Sequence, residues 1–360
     1  MCVNRRWGEQ QIRQWVSGKR VLFVSPTDAG YMRNRQEIEL LKAHAAHVHQ
    51  ITFDDRGRLT FLTIKKILST LIRTFGSLHR PFDTVFIGGM PQVILPLIYP
   101  FVWRKQLIID FFISMYDTLV HDRARVSERS PIAKLIKGLD VLTLSLADRV
   151  IVDTRAHGLY FKEKFGLKKP WTVLYLKADD RIYYPRTVSK PPELSKKFIV
   201  FFFGAMNPLQ GVDTLLACAK SLRDVEDIVF ALVGPTDKLS QESQSLLDLP
   251  NVRLLSTWMK QEELADCIAM ADLCIAGHLN KSIGKASRVI PGKAYIYLSM
   301  EKMTVLGDNR ANRELFGDSN SRIIWVRMGD PGHLKEAILS AFHAHFYQKI
   351  LRKTKEVLPC

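Results

Sequence analysis

Short apolar runs alternate with longer amphipathic stretches along most of the chain. Residues 21–25 (Val-Leu-Phe-Val-Ser) are largely apolar and β-branched and stop at Pro26, which predicts a strand buried on both faces. A loop through Gly30 and a helix over 34–45 follow, then a strand over 48–53. The pattern predicts a helix over 59–75, with Leu59, Leu62, Ile67, Leu71 and Phe75 apolar and Lys65, Lys66 and Arg73 interspersed. Next come a strand over 84–89 ending in a glycine turn, a helical run to 102, a strand over 107–110, a helix over 130–147 and a strand over 149–153. Residues 188–197, with a Pro pair, Ser and Lys, break the periodicity. The alternation then restarts, with strands at 198–203, 228–233, 252–255, 273–277 and 304–306, and helices at 212–222 and 262–270. A last helical segment runs over 332–357. The expected organisation is a first domain over 18–187, a linker over 188–197, a second domain over 198–335 and a C-terminal helix over 336–360 reaching back toward the first. The class is α/β: two Rossmann-like, doubly wound domains in series, with a cleft between them.

The length of 360 residues fits two domains of ordinary size, and the net charge of +16 narrows the partners to anions. Nucleic acid, phosphorylated substrates and acidic membrane headgroups all qualify by charge. No zinc spacing, aromatic ribonucleoprotein motif or basic recognition helix supports the first. The five cysteines, Cys2, Cys218, Cys267, Cys274 and Cys360, have neither metal nor disulfide spacing. Cys218, Cys267 and Cys274 sit in apolar runs and read as buried small hydrophobes, which fits a reducing cytoplasm. The most apolar segment, 93–103, is too short to span a bilayer and is broken by Pro96 and Pro100. With the basic 59–75 helix it presents an apolar wedge that would lie on an anionic bilayer; ordinary core packing with solvated lysines is the other reading.

Candidate chemistry concentrates at 284–298 (GKASRVIPGKAYIYL). Lys285, Arg288 and Lys293 lie on a short loop, and Pro291 is suited to open a helix. The free N–H groups at Gly292 and Lys293 would then face an anion such as a phosphate or diphosphate. A solvated basic loop capping a core helix is the alternative. Walker-A, dinucleotide and Gly-x-Ser-x-Gly signatures are absent, as is any metal-ligand spacing. His44, His47 and His49 read as solvated surface. In the first half, Gly30, Gly89, Asp110 and the loop carrying Ser114, Tyr116 and Asp117 fall beyond strand C-termini, where ligands of such sheets bind.

These residues also carry a resemblance. The loop Phe203-Gly204-Ala205-Met206-Asn207-Pro208-Leu209-Gln210-Gly211-Val212, the strand 251–255 (NVRLL) and the stretch 285–293 (KASRVIPGK) come in order, followed by Gly307-Asp308 and Arg313-Glu314-Leu315. The first half adds 110–123 (DFFISMYDTLVHDR), Ala147-Asp148-Arg149-Val150, Val152-Asp153-Thr154, and Ala178-Asp179-Asp180 before Pro185. Over residues 18–340 the chain resembles the group 1 (family 4) glycosyltransferases of GT-B fold, in particular a bacterial subgroup with a Pro-Leu-x-Gly loop. The resemblance implies a retaining, metal-independent transferase without a cofactor. It would move sugar from a nucleoside-diphosphate donor to a glycan or lipid-linked glycan acceptor in envelope or exopolysaccharide synthesis. Such an enzyme would be cytoplasmic and peripheral to the inner face of the membrane. Donor binding falls by resemblance to Gly204, Asn207, Gly211, Gly234, Lys285, Arg288, Gly292 and Lys293, and catalysis to Asp110, Ser114 and Asp117. Asp110 and Asp117 have a structural alternative, capping helices or pairing with Arg123.

The chain departs from the family pattern at several places. Ala205 and Gln210 stand where an arginine and a lysine are common, Arg288 and Ile296 where two glutamates are common, and Gly292 where Asn or Ser is usual. They motivate a second reading, a degenerate glycosyltransferase that binds sugar nucleotide or glycan, or supports a partner, without turnover. A polyanion-binding protein is the third.

Overall fold

The computed structural model describes residues 2–53, 61–317 and 320–357. The chain forms two compact units, Met1–Lys177 and Ala178–Cys360. The expected linker 188–197, which includes a short 3-10 turn at Pro192–Leu194, lies within the second.

The first unit runs α1 (Cys2–Val16), β1 (Arg20–Asp28), α2 (Met32–His44), β2 (His47–Phe53), α3 (Phe61–Ser77), β3 (Thr84–Ile87), α4 (Pro91–Val102), β4 (Gln106–Asp110), α5 (Pro131–Leu146), β5 (Arg149–Val152), α6 (Arg155–Phe165) and β6 (Trp171–Val173). Its six strands are all parallel, in the order β2-β1-β3-β4-β5-β6, so the winding reverses between β1 and β3. Successive side chains of a strand point to opposite faces. Val21 and Phe23 pack with Ile12, Val16, Ile38 and Leu41 of α1 and α2. Leu22 and Val24 face the other side, with α4, α5 and α6. Covering both faces is what a parallel sheet needs, and it explains the near-continuous apolar strands.

The second unit runs β7 (Phe198–Phe203), α7 (Val212–Ser221), β8 (Ile228–Val233), α8 (Gln241–Ser245), β9 (Val252–Leu255), α9 (Gln261–Met270), β10 (Leu273–Gly277), α10 (Gly292–Ser299), β11 (Thr304–Gly307), α11 (Arg310–Phe316), β12 (Ile323–Val326) and α12 (Pro331–Val357). Its sheet is parallel with the order β12-β11-β10-β7-β8-β9, the dinucleotide-fold order with its reversal between β7 and β10. Phe198, Val200 and Phe202 pack beneath α7 and α12, and Phe201 and Phe203 meet Tyr297 of α10 on the opposite face. The described part of α12 packs on α7 and β12 of its own unit through Leu334 and Ile338.

Several local expectations change. β1 continues through Pro26 to Asp28, because a register shift against β2 between Val24 and Asp28 takes the proline out of the regular ladder. Leu59 lies outside the described residues; α3 is described from Phe61 and runs past Phe75 to Ser77. The 114–117 loop leads into a π-helical turn, Asp117–Asp122. His49 is not simply solvated: its Nε2 lies 3.2 Å from Ser77 Oγ and its Nδ1 3.1 Å from Arg80 Nη1, and partial burial lowers its pKa. Cys218 and Cys274 are buried, as small hydrophobes would be, and burial raises both thiols, Cys218 to about 12; Cys267 is half-buried.

One helix ties the strand ends of the first unit together. α2 buries Arg33, Asn34, Gln36 and Glu37 on its inner side. Arg33, 1% exposed, donates from Nε and Nη2 to the two Asp110 oxygens at 2.7 and 2.8 Å, and from Nη1 to the Leu174 carbonyl. Asn34 Nδ2 donates to Thr27 Oγ1 and the Asp28 carbonyl, each at 2.7 Å. Gln36 donates to the Tyr175 carbonyl at 2.8 Å and accepts from Lys177 N at 3.2 Å. Glu37 lies 3.6 Å from Arg33, beside the Arg33–Asp110 ion pair; burial, then the Asp110 charge, raises its pKa well above the carboxylate range. Removing one partner of such a pair strands the other charge. Arg33→Met is expected to cost roughly 3–5 kcal/mol of unfolding free energy, read by urea titration. Arg33→Met combined with Asp110→Leu should recover more than half of that loss.

Candidate functional site

The chain reversal between β7 and β10 places two loops against each other at the C-terminal edge of the second sheet. Leu279 N donates to the Gln210 carbonyl at 3.1 Å, and Asn280 Nδ2 to the Pro208 carbonyl at 3.0 Å. Gly211 has φ 68°, and a Cβ there would meet Asn280 N at 2.7 Å, so only glycine lets the loops touch. The Gly234 backbone seals the next strand end against Gly204, which hydrogen-bonds the Val233 carbonyl at 2.9 Å.

Lys293 is the second residue of α10 and is 6% exposed. Its ammonium lies 4.2 Å from the Phe202 ring centroid and 5.9 Å from that of Phe203. It makes no hydrogen bond or ion pair to any described residue. A cation–π contact offsets only part of the lost hydration, and burial draws its pKa down to about 7. A Cβ built on Gly204 would lie 3.0 Å from Lys293 Nζ and 2.9 Å from Gln210 Oε1, so ammonium, amide and glycine backbone meet at one point. Gln210 Oε1 and His278 Nδ1 are buried without a hydrogen-bond partner among the described residues. Burial, then Lys293 and Lys285, lowers the His278 pKa to about 3, so its ring is neutral at pH 7.

The site therefore combines two kinds of group. Lys293 and Lys285, whose charges both act on His278, supply positive charge, and the α10 N-terminus adds backbone donors. Pro291 is the N-cap (φ −63°, ψ 132°) rather than the first helical residue, and no side chain caps the first turn, which Gly292 opens. Such an arrangement stabilises an anion of two or more charges.

The expected donor residues fall unevenly around this point. Gly204 and Lys293 meet there; Gly234 packs on the Gly204 backbone, Gly211 follows Gln210 in the chain, and Gly292 precedes Lys293. Lys285 is nine-tenths buried in the 3-10 turn Gly284–Ser287, and Arg288 lies along that turn, its Nη1 2.9 Å from where a Gly284 Cβ would sit. Asn207 points outward, its Oδ1 accepting from Lys238 Nζ at 2.8 Å. Ile296 is buried, one turn further along α10. Asp308 and Arg313 form a bidentate pair at 2.7 and 2.8 Å, with Arg313 stacked 4.0 Å over Trp325, so that motif braces the edge. His278 escaped the sequence reading. Its only signal was its place directly after the glycine that ends β10.

Asp110, Ser114 and Asp117 are all fully buried and belong to two networks. Asp110 is engaged by Arg33, not by Arg123. Ser114 Oγ donates to Asp140 Oδ2 at 2.6 Å and accepts from Asp117 N at 2.9 Å. Asp140 also accepts from Tyr116 N at 2.9 Å and Gln92 Nε2 at 3.0 Å. Asp117 accepts from Tyr160 OH at 3.2 Å. Tyr160 stacks on His157, whose Nδ1 lies 2.7 Å from Asp153 and whose Nε2 is buried without a partner among the described residues. His157, at the first turn of α6, was also missed.

No protein-family model matches the sequence, and no curated protein matches it. Solved structures do. A sucrose-phosphate synthase from Thermosynechococcus elongatus superposes with a TM-score of 0.64 at 15% identity, over 90% of each chain. The α,α-trehalose 6-phosphate synthase of Burkholderia multivorans gives 0.58 at 12%, over 91% of this chain and 89% of the other. HepE of Anabaena, solved in complex with UDP and glucose, gives 0.54 at 14%, over 90% of each. The chain thus has the fold of these proteins, GT-B, with two Rossmann-like domains.

Proposed function

We propose that the chain is a glycosyltransferase that binds a nucleoside-diphosphate sugar on its second unit. The observation that carries this reading is the buried ammonium of Lys293, without a hydrogen-bond or ion-pair partner among the described residues and set at a helix N-terminus beside the glycine edge of the sheet. A folded protein retains so costly a group where an anion completes it. The diphosphate would take Lys293, with Arg288 and Lys285 beside it and the Gly292 and Lys293 amides in front. As the C1–oxygen bond to the diphosphate breaks, these groups neutralise the charge that develops on the leaving group. An acceptor hydroxyl oxygen forms the new bond to C1, and its proton passes to the leaving diphosphate oxygen. Gln210, where the family commonly has lysine, supplies a neutral amide, so Lys293 carries more of that charge.

The reading extends, by the resemblance above, to a retaining, metal-independent transfer within the group 1 family. The acceptor is a glycan or lipid-linked glycan of bacterial envelope or exopolysaccharide synthesis, worked on from the cytoplasmic side. HepE, crystallised with UDP and glucose, lends support to a UDP-sugar donor. In the first unit Asp110 acts as a positioning residue through Arg33, and Ser114 and Asp117 shape the loop that would meet the acceptor.

Calorimetric titration with UDP, GDP and dTDP in metal-free buffer tests the reading: one of them should bind saturably. Lys293→Ala should weaken that binding at least about tenfold, Arg288→Ala by less, and exposed Lys65→Ala not at all. Equal effects of all three would reduce the site to general charge, and no binding of any nucleotide overturns the reading.

Protonation gives a second test. An anion raises the Lys293 pKa from about 7, so binding near pH 8 should take up close to one proton, read from the buffer dependence of the heat. Affinity should fall as pH rises through 7 to 9.

Stability gives a third. The folded Lys293 value lies below the ordinary 10.5, so between these values the unfolded chain binds the extra proton and stability rises with pH. Lys293→Met should therefore raise Tm at pH 7, by a margin that closes toward pH 10, while it abolishes nucleotide binding.

A further inference from the structure

α3, α4 and α5 lie side by side on one face of the first sheet, α4 packing against both neighbours. Their inner sides fill the core, and an ordinary surface helix would turn polar residues outward. These helices do not. Leu68, Ile72 and Phe75 form an exposed apolar stripe on α3. On α4, Leu97 and Phe101 stand one turn apart, 55% and 64% exposed, with Trp103 just beyond at 56%. Ile132, Leu135 and Leu142 continue the pattern on α5, Leu135 at 75%. The α3 and α4 stripes are contiguous where the Phe75 and Phe101 rings meet edge to face at 5.2 Å, and α5 packs beside α4. A joined apolar surface of this kind marks an interaction site.

Charge identifies the partner. Across residues 61–77, 91–105 and 131–146 there are seven basic residues and one acidic one, Asp140. Asp140 is fully buried, its oxygens taken by Ser114, Gln92 and two backbone amides. Lys65, Arg73, Arg104, Lys105 and Lys134 are exposed, and Arg104 stacks 4.7 Å over the Trp103 ring. A second copy of this chain would bring the same cations against themselves. Helices that are apolar, aromatic and basic, with no exposed acid along their own described residues, match the boundary of an anionic bilayer, where rings sit among headgroups and cations meet phosphates. No helix among the described residues is long and apolar enough to cross a membrane, and α4 has only 12 residues, with Pro96 and Pro100 inside it.

We propose that the outer face of α3, α4 and α5 docks the first unit on an anionic lipid bilayer. Phe101, Trp103 and Leu135 enter the headgroup–acyl boundary, and Arg104, Lys105 and Lys134 contact lipid phosphates. This inference stands apart from the nucleotide reading, because it rests on a different unit and a different face.

Co-sedimentation of the full chain with vesicles tests it, comparing phosphatidylcholine alone with phosphatidylcholine containing phosphatidylglycerol. Binding to the anionic vesicles should be at least about tenfold tighter and should weaken sharply between about 0.1 and 1 M salt. Leu97→Glu with Phe101→Glu, and separately Arg104→Glu with Lys105→Glu, should each lower it at least about tenfold. Trp7→Glu, which removes an exposed ring on α1, should not. Should the apolar double variant fail to fold by circular dichroism, the charge-reversal pair and the salt series decide alone. Equal binding to both vesicle types, or equal loss on Trp7→Glu, overturns the proposal. So does a dimer in sedimentation velocity that the same variants dissolve without any vesicle binding.

Discussion

Every strand pairing in both sheets is parallel, and the other features of this protein follow from that constraint. Parallel strands need a crossover between each pair, and both faces must be covered. All the turns that follow strands then gather along one edge. There, helix N-termini and polar loops collect above an apolar interior. The two units treat this edge in opposite ways. In the first, the polar face of α2 satisfies it from within, with Arg33, Asn34 and Gln36 reaching the ends of β1, β4, β5 and β6. In the second, glycine lets the loops close on one another while Lys293 Nζ, Gln210 Oε1 and His278 Nδ1 have no hydrogen-bond partner among the described residues. One edge is closed by its own hydrogen bonds, and the other is where the proposed anion would sit.

The difference in cost is instructive. Arg33 and Asp110 are both buried but neutralise each other over two hydrogen bonds. Lys293 has aromatic faces instead of a carboxylate, and the cation–π contact does not restore what hydration supplied. Destabilisation of this kind, at a strand-end glycine and a helix N-terminus, sets Lys293 apart from a structural ion pair and is what motivates the proposed anion site.

Much of the fold was legible in the sequence because buried parallel strands are continuous apolar runs. β7, β8, β9 and β10 are read to the residue, since Gly204, Gly234 and Gly277 mark three of their ends. α6, β6, α8, α11 and β12 were not read: three to seven residues give too little periodicity for four of them, and Gly158 interrupts the fifth. The site was legible as composition but not as geometry. Lys293 and the glycines announced themselves by spacing. That Asp110 would be held by Arg33, 77 positions away in the chain, had no local signal. Nor did the inward face of α2, because Arg-Asn-Arg-Gln-Glu reads as a solvated stretch until the strand ends that it satisfies are in place.

The basic, apolar outer face of α3, α4 and α5 also bears on how the molecule behaves in free solution. Its cations would be a colloidal safeguard as well as the proposed lipid contacts: like charge keeps two apolar faces from meeting in dilute buffer. That repulsion reaches only about 8 Å at physiological ionic strength and about 3 Å at 1 M. Concentrated salt, usually added to keep a basic protein in solution, removes the safeguard and leaves the Phe101 and Leu135 surfaces free to find each other.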